Sequence, residues 1–284
     1  MYLQPLGRVD FLATNYFSGK KAAVTGAGDG IGRALAQQLN NAGCELWLCD
    51  IDIDRLNVTR DSLDPTRAAV HTAIVDCGDR DAIEAWAGQV AGETSHLDAV
   101  FNNAGVAYGA YFADSSEDSF QWLMAINFWG VVWSTRAFLP LLESASVGHL
   151  VNVSSIFGMI GVASQSAYNA AKFAVRGFTE ALQAEYHGSS IRVSCVHPGG
   201  VATNIALRAR TDGEGAALSP QERDTRFRNV AKTSPEKAAA IILKQTARGK
   251  PRILVGLDAR LLQLLTQILP TGYQAITRRM GRED

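Results

Sequence analysis

Glycine fills four of the eight positions in Thr25-Gly-Ala-Gly-Asp-Gly-Ile-Gly32. The stretch lies between the apolar run KAAVT and the amphipathic run IGRALAQQLNNAG, so it reads as a strand-to-helix turn walled by bare backbone. Such a turn lets a ligand approach the main chain closely, and the helix behind it offers unpaired N–H groups to an anion. The spacing is G-x-x-x-G-x-G over Gly26, Gly30 and Gly32 rather than the common G-x-G-x-x-G, but the demands on each glycine are the same. The expected occupant is a dinucleotide pyrophosphate, set against Gly26, Gly28, Asp29, Gly30, Ile31 and Gly32.

The rest of the chain repeats this strand-then-helix pattern. ELWLCD, AVHTAIVD, LDAVFNNAG, GHLVNVSS, IRVSCVHPGG and RILVG have strand length and composition, and helix-length amphipathic runs separate most of them. The helical runs include DIDRLNVTRDSL, DRDAIEAWAGQVAGE, AYNAAKFAVRGFTEALQAEYHG and the segment 234–248. Repeated units of this kind predict an α/β fold of the Rossmann type, a doubly wound parallel sheet covered by helices on both faces. At 284 residues and 47% hydrophobic content, one such domain accounts for the whole chain, 1–284. Three pieces lie outside the repeat. They are an arm, 1–16, a polar irregular flap over the site, 204–233, and an apolar tail with a basic tip, 257–284.

The charge balance excludes one class of partner. With 27 basic and 28 acidic residues the net charge is -1, which gives no global field for nucleic acid. The four cysteines match no zinc spacing and no disulfide framework, so they are expected to be reduced, buried thiols in a cytoplasmic protein. The start of the chain lacks the basic-then-apolar pattern of a secretory signal. The run Phe120–Leu142 is long enough to span a bilayer, but it carries Gln121, Asn127 and Arg136, and it is expected to be a buried or subunit-facing helix.

Two further constellations carry chemistry. Asp50 ends the second strand twenty residues after Gly30, where a carboxylate can accept bonds from the adenosine ribose hydroxyls and repel a 2′-phosphate. A helix N-cap is the alternative role for Asp50. Tyr168 and Lys172 are four residues apart on a helix and share a face, while Ser155 follows a strand at the edge where open sheets bind ligands. An ammonium beside a phenol favours the phenolate and moves it toward acid–base range, and a serine hydroxyl can hold a carbonyl or alcohol oxygen.

With the glycine turn, Asp50, Asn102-Asn-Ala-Gly105, Asn127, Ser155 and the Tyr168/Lys172 pair in one order, the chain resembles the short-chain dehydrogenase/reductase superfamily from about Phe17 to Gly256. The resemblance implies that Tyr168 is the acid–base and that Lys172 binds the nicotinamide ribose. It implies that Ser155 holds the reacting oxygen and that Asn127 holds a water linking Lys172 to solvent. For the cofactor it implies contacts from Asp76 and Cys77 at the adenine, from Asn103, Ala104 and Gly105 beside the adenosine ribose, and from Pro198, Gly199, Val201 and Thr203 at the nicotinamide amide.

The expected activity is reversible hydride transfer between NAD(H), preferred over NADP(H), and a secondary alcohol or its ketone. No metal is expected. The alternatives are an NADPH-dependent 3-oxoacyl or carbonyl reductase and a dinucleotide-binding protein without chemistry. Apolar residues of the flap (Ile205, Ala206, Leu207, Ala216, Ala217, Leu218) and of the tail (Leu261, Leu262, Leu264, Leu265, Ile268, Leu269), with Tyr108, Tyr111, Phe112, Phe157 and Met159 near the pocket mouth, point to a steroid-, terpenoid- or fatty-type substrate. Packing of a lid or a subunit is the competing role for these residues. The tail, with Arg278, Arg279 and Arg282, is too interrupted to span a membrane; it is expected to cap the pocket or a neighbouring subunit, with peripheral membrane contact as the lesser alternative. The Trp122/Trp129/Trp133 helix predicts a homodimer or homotetramer.

Overall fold

The computed structural model describes residues 15–213 and 218–278. Most of the arm (1–14), Ala216 and Ala217 of the flap, and Arg279 and Arg282 of the tail lie outside the described residues.

The elements follow the sequence pattern: β1 (Lys21–Thr25), α1 (Gly30–Asn41), β2 (Glu45–Asp50), α2 (Ile53–Asp61), β3 (Val70–Ile74), α3 (Arg80–Glu93) and β4 (Ala99–Asn102). A two-residue strand, β5 (Tyr108–Gly109), precedes α4 (Glu117–Met124), α5 (Gly130–Glu143), β6 (Gly148–Val153), α6 (Ser166–Glu185) and β7 (Ile191–Pro198). The chain continues through β8 (Arg210–Thr211), α7 (Pro220–Val230), α8 (Pro235–Ala247), β9 (Arg252–Val255), α9 (Leu257–Ile268) and α10 (Gln274–Thr277). Seven strands form one sheet in the order β3-β2-β1-β4-β6-β7-β9, every pairing parallel. The order reverses direction between β1 and β4, which places a crevice at the C-terminal ends of those strands.

Both faces of the sheet are covered, which explains why its strands are near-continuous apolar runs. On one face Leu35 and Leu39 of α1 and Ile242 of α8 pack against Val24, Leu46 and Val255. On the other, Trp86 and Val90 of α3 and Phe138 of α5 pack against Trp47, Val100 and Leu150. Each such large side chain, fully buried, contributes about 1.5–3 kcal/mol. A buried polar ladder also crosses the centre of the sheet. Asn102 donates to Asn152 (2.8 Å) and Thr135 (3.1 Å), Ser134 donates to Asn102 (2.6 Å), and Asn152 donates to Thr179 (3.1 Å). It fixes the register of β4 and β6, the two strands whose ends lead into the motifs at 103–105 and 155.

The long apolar stretch stays helical from Glu117 to Glu143 without interruption. Between α4 and α5 the backbone widens into a π turn over Ala125–Trp129, with Asn127 buried inside it. Among the described residues no helix is long and apolar enough to cross a membrane. The four cysteines are free and buried. Burial pushes the thiols of Cys44 and Cys49 well above their usual range and that of Cys195 up to about 12.

The described residues of the flap form more regular structure than their composition implies. β8 pairs with β5, and the Arg210 guanidinium lies 3.7 Å from the centre of the Trp122 ring. Helix α7 begins with a capping box, Ser219 and Glu222 exchanging side-chain and backbone bonds, with Pro220 in its first turn. Tyr108, expected at a pocket mouth, is instead buried, and its hydroxyl donates to Asp212 (2.6 Å) and meets Ser115 (2.9 Å). The tail forms α9, which packs Ala259 and Leu262 against Ile156, Met159 and Ile160. Leu257, Leu261, Leu264 and Ile268, at helical spacing, are exposed on its outer side.

Candidate active site

The glycine turn is closed by sterics. Gly26 has φ +64, in the left-handed region, and a Cβ on it would stand 2.8 Å from the Ala104 Cα. A Cβ on Gly32 would run into the Gly26 carbonyl oxygen and stand 2.6 Å from Asn103 Nδ2. Asn103 in turn donates to the Thr25 and Gly26 carbonyls (3.0 and 3.2 Å), and the Asn103 and Ala104 amides both donate to the Thr25 hydroxyl at 3.0 Å. The motif at 103–105 thus fixes the turn from the β4 side. Ile31 packs its side chain against the core beneath; the Gly30 and Arg33 amides of the first turn of α1 bond to Asp29, which leaves those of Ile31 and Gly32 to serve an anion.

Asp29 is the N-cap of α1, accepting from the Gly30 amide at 2.7 Å. Its other oxygen accepts from Asn204 (2.9 Å) and pairs with Arg208, so the flap is tied directly to the glycine turn. Burial pushes the Asp29 carboxyl upward, but the bonds from Asn204, Arg208 and Gly30 outweigh it and hold the group below its usual range.

Asp50 is buried beside the turn. Its Oδ2 accepts from the Gly28 amide at 2.9 Å, and its Oδ1 accepts from the Asp52 amide (3.0 Å) and the Arg55 guanidinium (3.1 Å). The helix N-cap here is Asp52, not Asp50, so the carboxylate of Asp50 is directed at the loop. Further along this edge, exposed Asp76 accepts from the Gly78 amide at 2.8 Å, while Cys77 is buried in the core against Gly130.

The residues at 127, 155, 168 and 172 come together from three elements. Ser155 caps the 3-10 turn Ile156–Gly158, its hydroxyl accepting from the Phe157 amide at 3.1 Å, and its side chain is near enough to Tyr168 to pull the phenol's pKa downward. The Phe157 ring meets Tyr168 edge to face, centroids 6.1 Å apart. Lys172 is buried one turn further along α6, donates to the Val153 carbonyl (3.1 Å), and has its amine 5.7 Å from the centre of the Tyr168 ring. Asn127 clasps Val106 through both amide atoms at 2.8 Å. A Cβ on Gly105 would stand 3.1 Å from Asn127 Oδ1 and 3.4 Å from Lys172 Nζ, so these two side chains converge on that glycine. The π turn is what turns Asn127 inward, a local loosening of the helix common at functional sites. Burial sets the direction of both titrating groups. It raises the Tyr168 phenol to about 12, against the pull of the Ser155 side chain, and lowers the Lys172 amine to about 8.

The strand β7 ends in Pro198, and the turn beyond it is pinned on both sides. Gly199 donates to the Val255 carbonyl (2.9 Å), Gly200 donates to Asp258 Oδ2 (2.6 Å), and Val201 bridges to Thr233. Thr203 approaches the glycine turn so closely that a Cβ on Gly30 would stand 2.8 Å from its methyl carbon. Several positioning residues had no signal in the sequence. Asn169 donates to the Phe157 and Ile160 carbonyls (2.6 and 2.7 Å), which locks the serine turn to the helix carrying Tyr168. Buried His197 bonds through Nδ1 to the Ser155 carbonyl at 3.1 Å. Their adjacency to Tyr168 and Pro198 was the only available hint.

Seven parallel strands with a glycine turn at the switch point and a Ser, Tyr and Lys set beyond it define a nucleotide-binding oxidoreductase architecture. The chain belongs to the short-chain dehydrogenase family: the family model described as short chain dehydrogenase matches residues 20–214. It is 42% identical to the Mycobacterium tuberculosis (strain ATCC 25618 / H37Rv) protein named as an oxidoreductase, SadH, over 92% of this chain and 94% of that one. A short-chain dehydrogenase/reductase from Burkholderia phymatum, solved with NAD, superposes with TM-score 0.80 at 29% identity, covering 93% of this chain and 96% of that one. An alcohol dehydrogenase from Thermococcus sibiricus, complexed with 5-hydroxy-NADP, gives 0.63 at 26% identity over 76% of this chain and 92% of that one. The protein is therefore an oxidoreductase of this family.

Proposed function

We propose that the chain transfers a hydride reversibly between NAD(H) and a secondary alcohol or its ketone, with NAD(H) preferred over NADP(H). The observation that carries the cofactor preference is Asp50, whose carboxylate lies against Gly28 at the edge of the glycine turn. A ribose hydroxyl there meets an acceptor, and a 2′-phosphate meets a negative charge. The cradle fits a dinucleotide: Gly26 and Gly32 leave no room for side chains, and the first turn of α1 supplies donors for a pyrophosphate. Asn103–Gly105 would flank the adenosine ribose, Asp76 the adenine, and Pro198, Gly199, Val201 and Thr203 the nicotinamide amide. Cys77 supports this wall from the core rather than facing it.

When bound, the nicotinamide supplies the carbon that accepts or returns the hydride. In oxidation Tyr168 takes the hydroxyl proton, and in reduction it gives one back. Ser155, whose side chain neighbours the Tyr168 phenol, holds the substrate oxygen beside it. Lys172 provides a cation at the ribose and next to the phenol, and Asn127 carries the proton path from Lys172 toward solvent. The apolar lining of the serine turn (Phe157, Met159 and Val162, with Leu262 and Tyr273 from the tail) favours an apolar substrate.

The test is fluorescence titration with NADH and with NADPH, on the wild type and on Asp50→Ala. NADH should bind at least about tenfold more tightly than NADPH, and Asp50→Ala should narrow that gap. A preference for NADPH would mean that Arg55, 3.1 Å from Asp50, serves the 2′-phosphate instead, and would favour the reductase alternative. A homo-oligomer is also proposed, supported by Trp129, 47% exposed and stacked on Trp133, and by exposed Phe173. Light scattering at micromolar concentration should return a mass of two or four chains. A single-chain mass would refute this.

A further inference from the structure

The C-terminal helix α9 lies beyond the segment that matches the family model. Its second residue, Asp258, does not bond to its own helix. The carboxylate accepts instead from the Gly200 amide, at 2.6 Å. It lies so close to the Gly199 Cα that a Cβ there would collide with both of its oxygens, and a Cβ on Gly256 would collide with Oδ1. Gly256 has φ +100, so its backbone alone calls for glycine. Gly199 is not in the left-handed region, and what bars a side chain there is the Asp258 carboxylate. The turn is thus held at Gly199 by Val255, at Gly200 by Asp258, and at Ala202 by the Thr233 carbonyl.

We propose that Asp258 is a positioning residue for the nicotinamide half of the cofactor, clamping the Gly199–Gly200 turn from the C-terminal extension. The inference rests on the assignment of residues 198–203 to the nicotinamide amide. A charged acceptor on a backbone N–H makes a short, strong bond, and here it fixes the Gly199–Gly200 peptide, two residues after Pro198. Without it, the turn keeps its other ties, including the Thr233 amide on the Gly200 carbonyl, but loses the one that sets the Gly199–Gly200 peptide plane. The Asp258 carboxylate bonds to Gly200, outside the adenosine half of the site built from Gly26–Gly32, Asp50 and Asn103–Gly105.

The experiment compares two ligands. NADH carries the nicotinamide, and ADP-ribose carries everything except it. Binding of NADH is followed by fluorescence and of ADP-ribose by calorimetry, for wild type, Asp258→Ala, Asp258→Asn and Thr203→Val. Asp258→Ala is expected to weaken NADH about tenfold and to leave ADP-ribose within about twofold. Asp258→Asn keeps an oxygen acceptor for Gly200 and is expected to recover most of the loss. Equal weakening of both ligands, or unchanged NADH affinity, would overturn the role of Asp258, as would failure of the asparagine to recover binding. Thr203→Val separates the two ideas. If it weakens NADH while Asp258→Ala does not, the turn assignment stands and only the clamp falls; if Thr203→Val also has no effect, the turn assignment itself falls.

Discussion

Replacing Tyr168 by phenylalanine is expected to lower turnover by about 10³-fold while leaving NADH affinity within roughly twofold. The substitution removes one oxygen and little else. The ring keeps its edge-to-face contact with Phe157, and Ser155 keeps the bond from the Phe157 amide. What is lost is the group that moves the proton. Because burial raises the phenol to about 12, it is protonated at neutral pH. Ketone reduction therefore has its acid in place near neutrality, whereas alcohol oxidation requires the phenol to give up its proton and should rise with pH. Stopped-flow or steady-state assays across pH 7 to 10 would show this slope in the wild type and its loss in Tyr168→Phe. Near-normal turnover in the variant would remove Tyr168 from the chemistry.

The second large effect couples activity to stability. Lys172→Met should abolish most turnover yet make the fold more stable at pH 7. Burial lowers the Lys172 amine to about 8 from an ordinary value near 10.5, a shift equivalent to about 3 kcal/mol of cost for keeping the charge. Losing the bond to the Val153 carbonyl returns about 1 kcal/mol of that, leaving a net gain of about 2 kcal/mol. The pH dependence has a definite sign. Below about pH 8 the lysine is charged in both the folded and the unfolded chain, and the folded state carries the full cost. Between about 8 and 10.5 the folded chain binds fewer protons than the unfolded one, so wild-type stability rises with pH. The methionine variant lacks that rise, and the gap between the two should narrow across this window. Thermal or urea unfolding at several pH values measures it; a variant less stable than wild type at pH 7, with a gap that ignores pH, would contradict the assignment of cost to Lys172.

Much of the architecture was legible in the sequence because parallel strands buried on both faces leave unmistakable apolar runs. The glycine turn and Asp50 were readable for a related reason: backbone geometry at those positions tolerates few residues. The widening at Ala125–Trp129 was not, since a π turn inside an apolar helix has no composition of its own. Helix α7 was hidden by its polarity, although Ser219, Pro220 and Glu222 spell a capping box that could have been read. Tyr108 was misplaced at a pocket mouth because its partner, Asp212, is 104 residues away and no local pattern announces the pair. The bonds from His197 to Ser155 and from Gly200 to Asp258 are of the same kind, set by how β7 and α9 pack and not by neighbours in the chain.

The burial of all four cysteines has a practical consequence. None of them presents a surface thiol, and burial raises three of them away from the reactive thiolate. A single cysteine placed on the exposed face of α7, such as Gln221→Cys, would then be the preferred target for a maleimide dye or spin label without any background substitutions. The native chain comes ready for site-specific spectroscopy of its own flap.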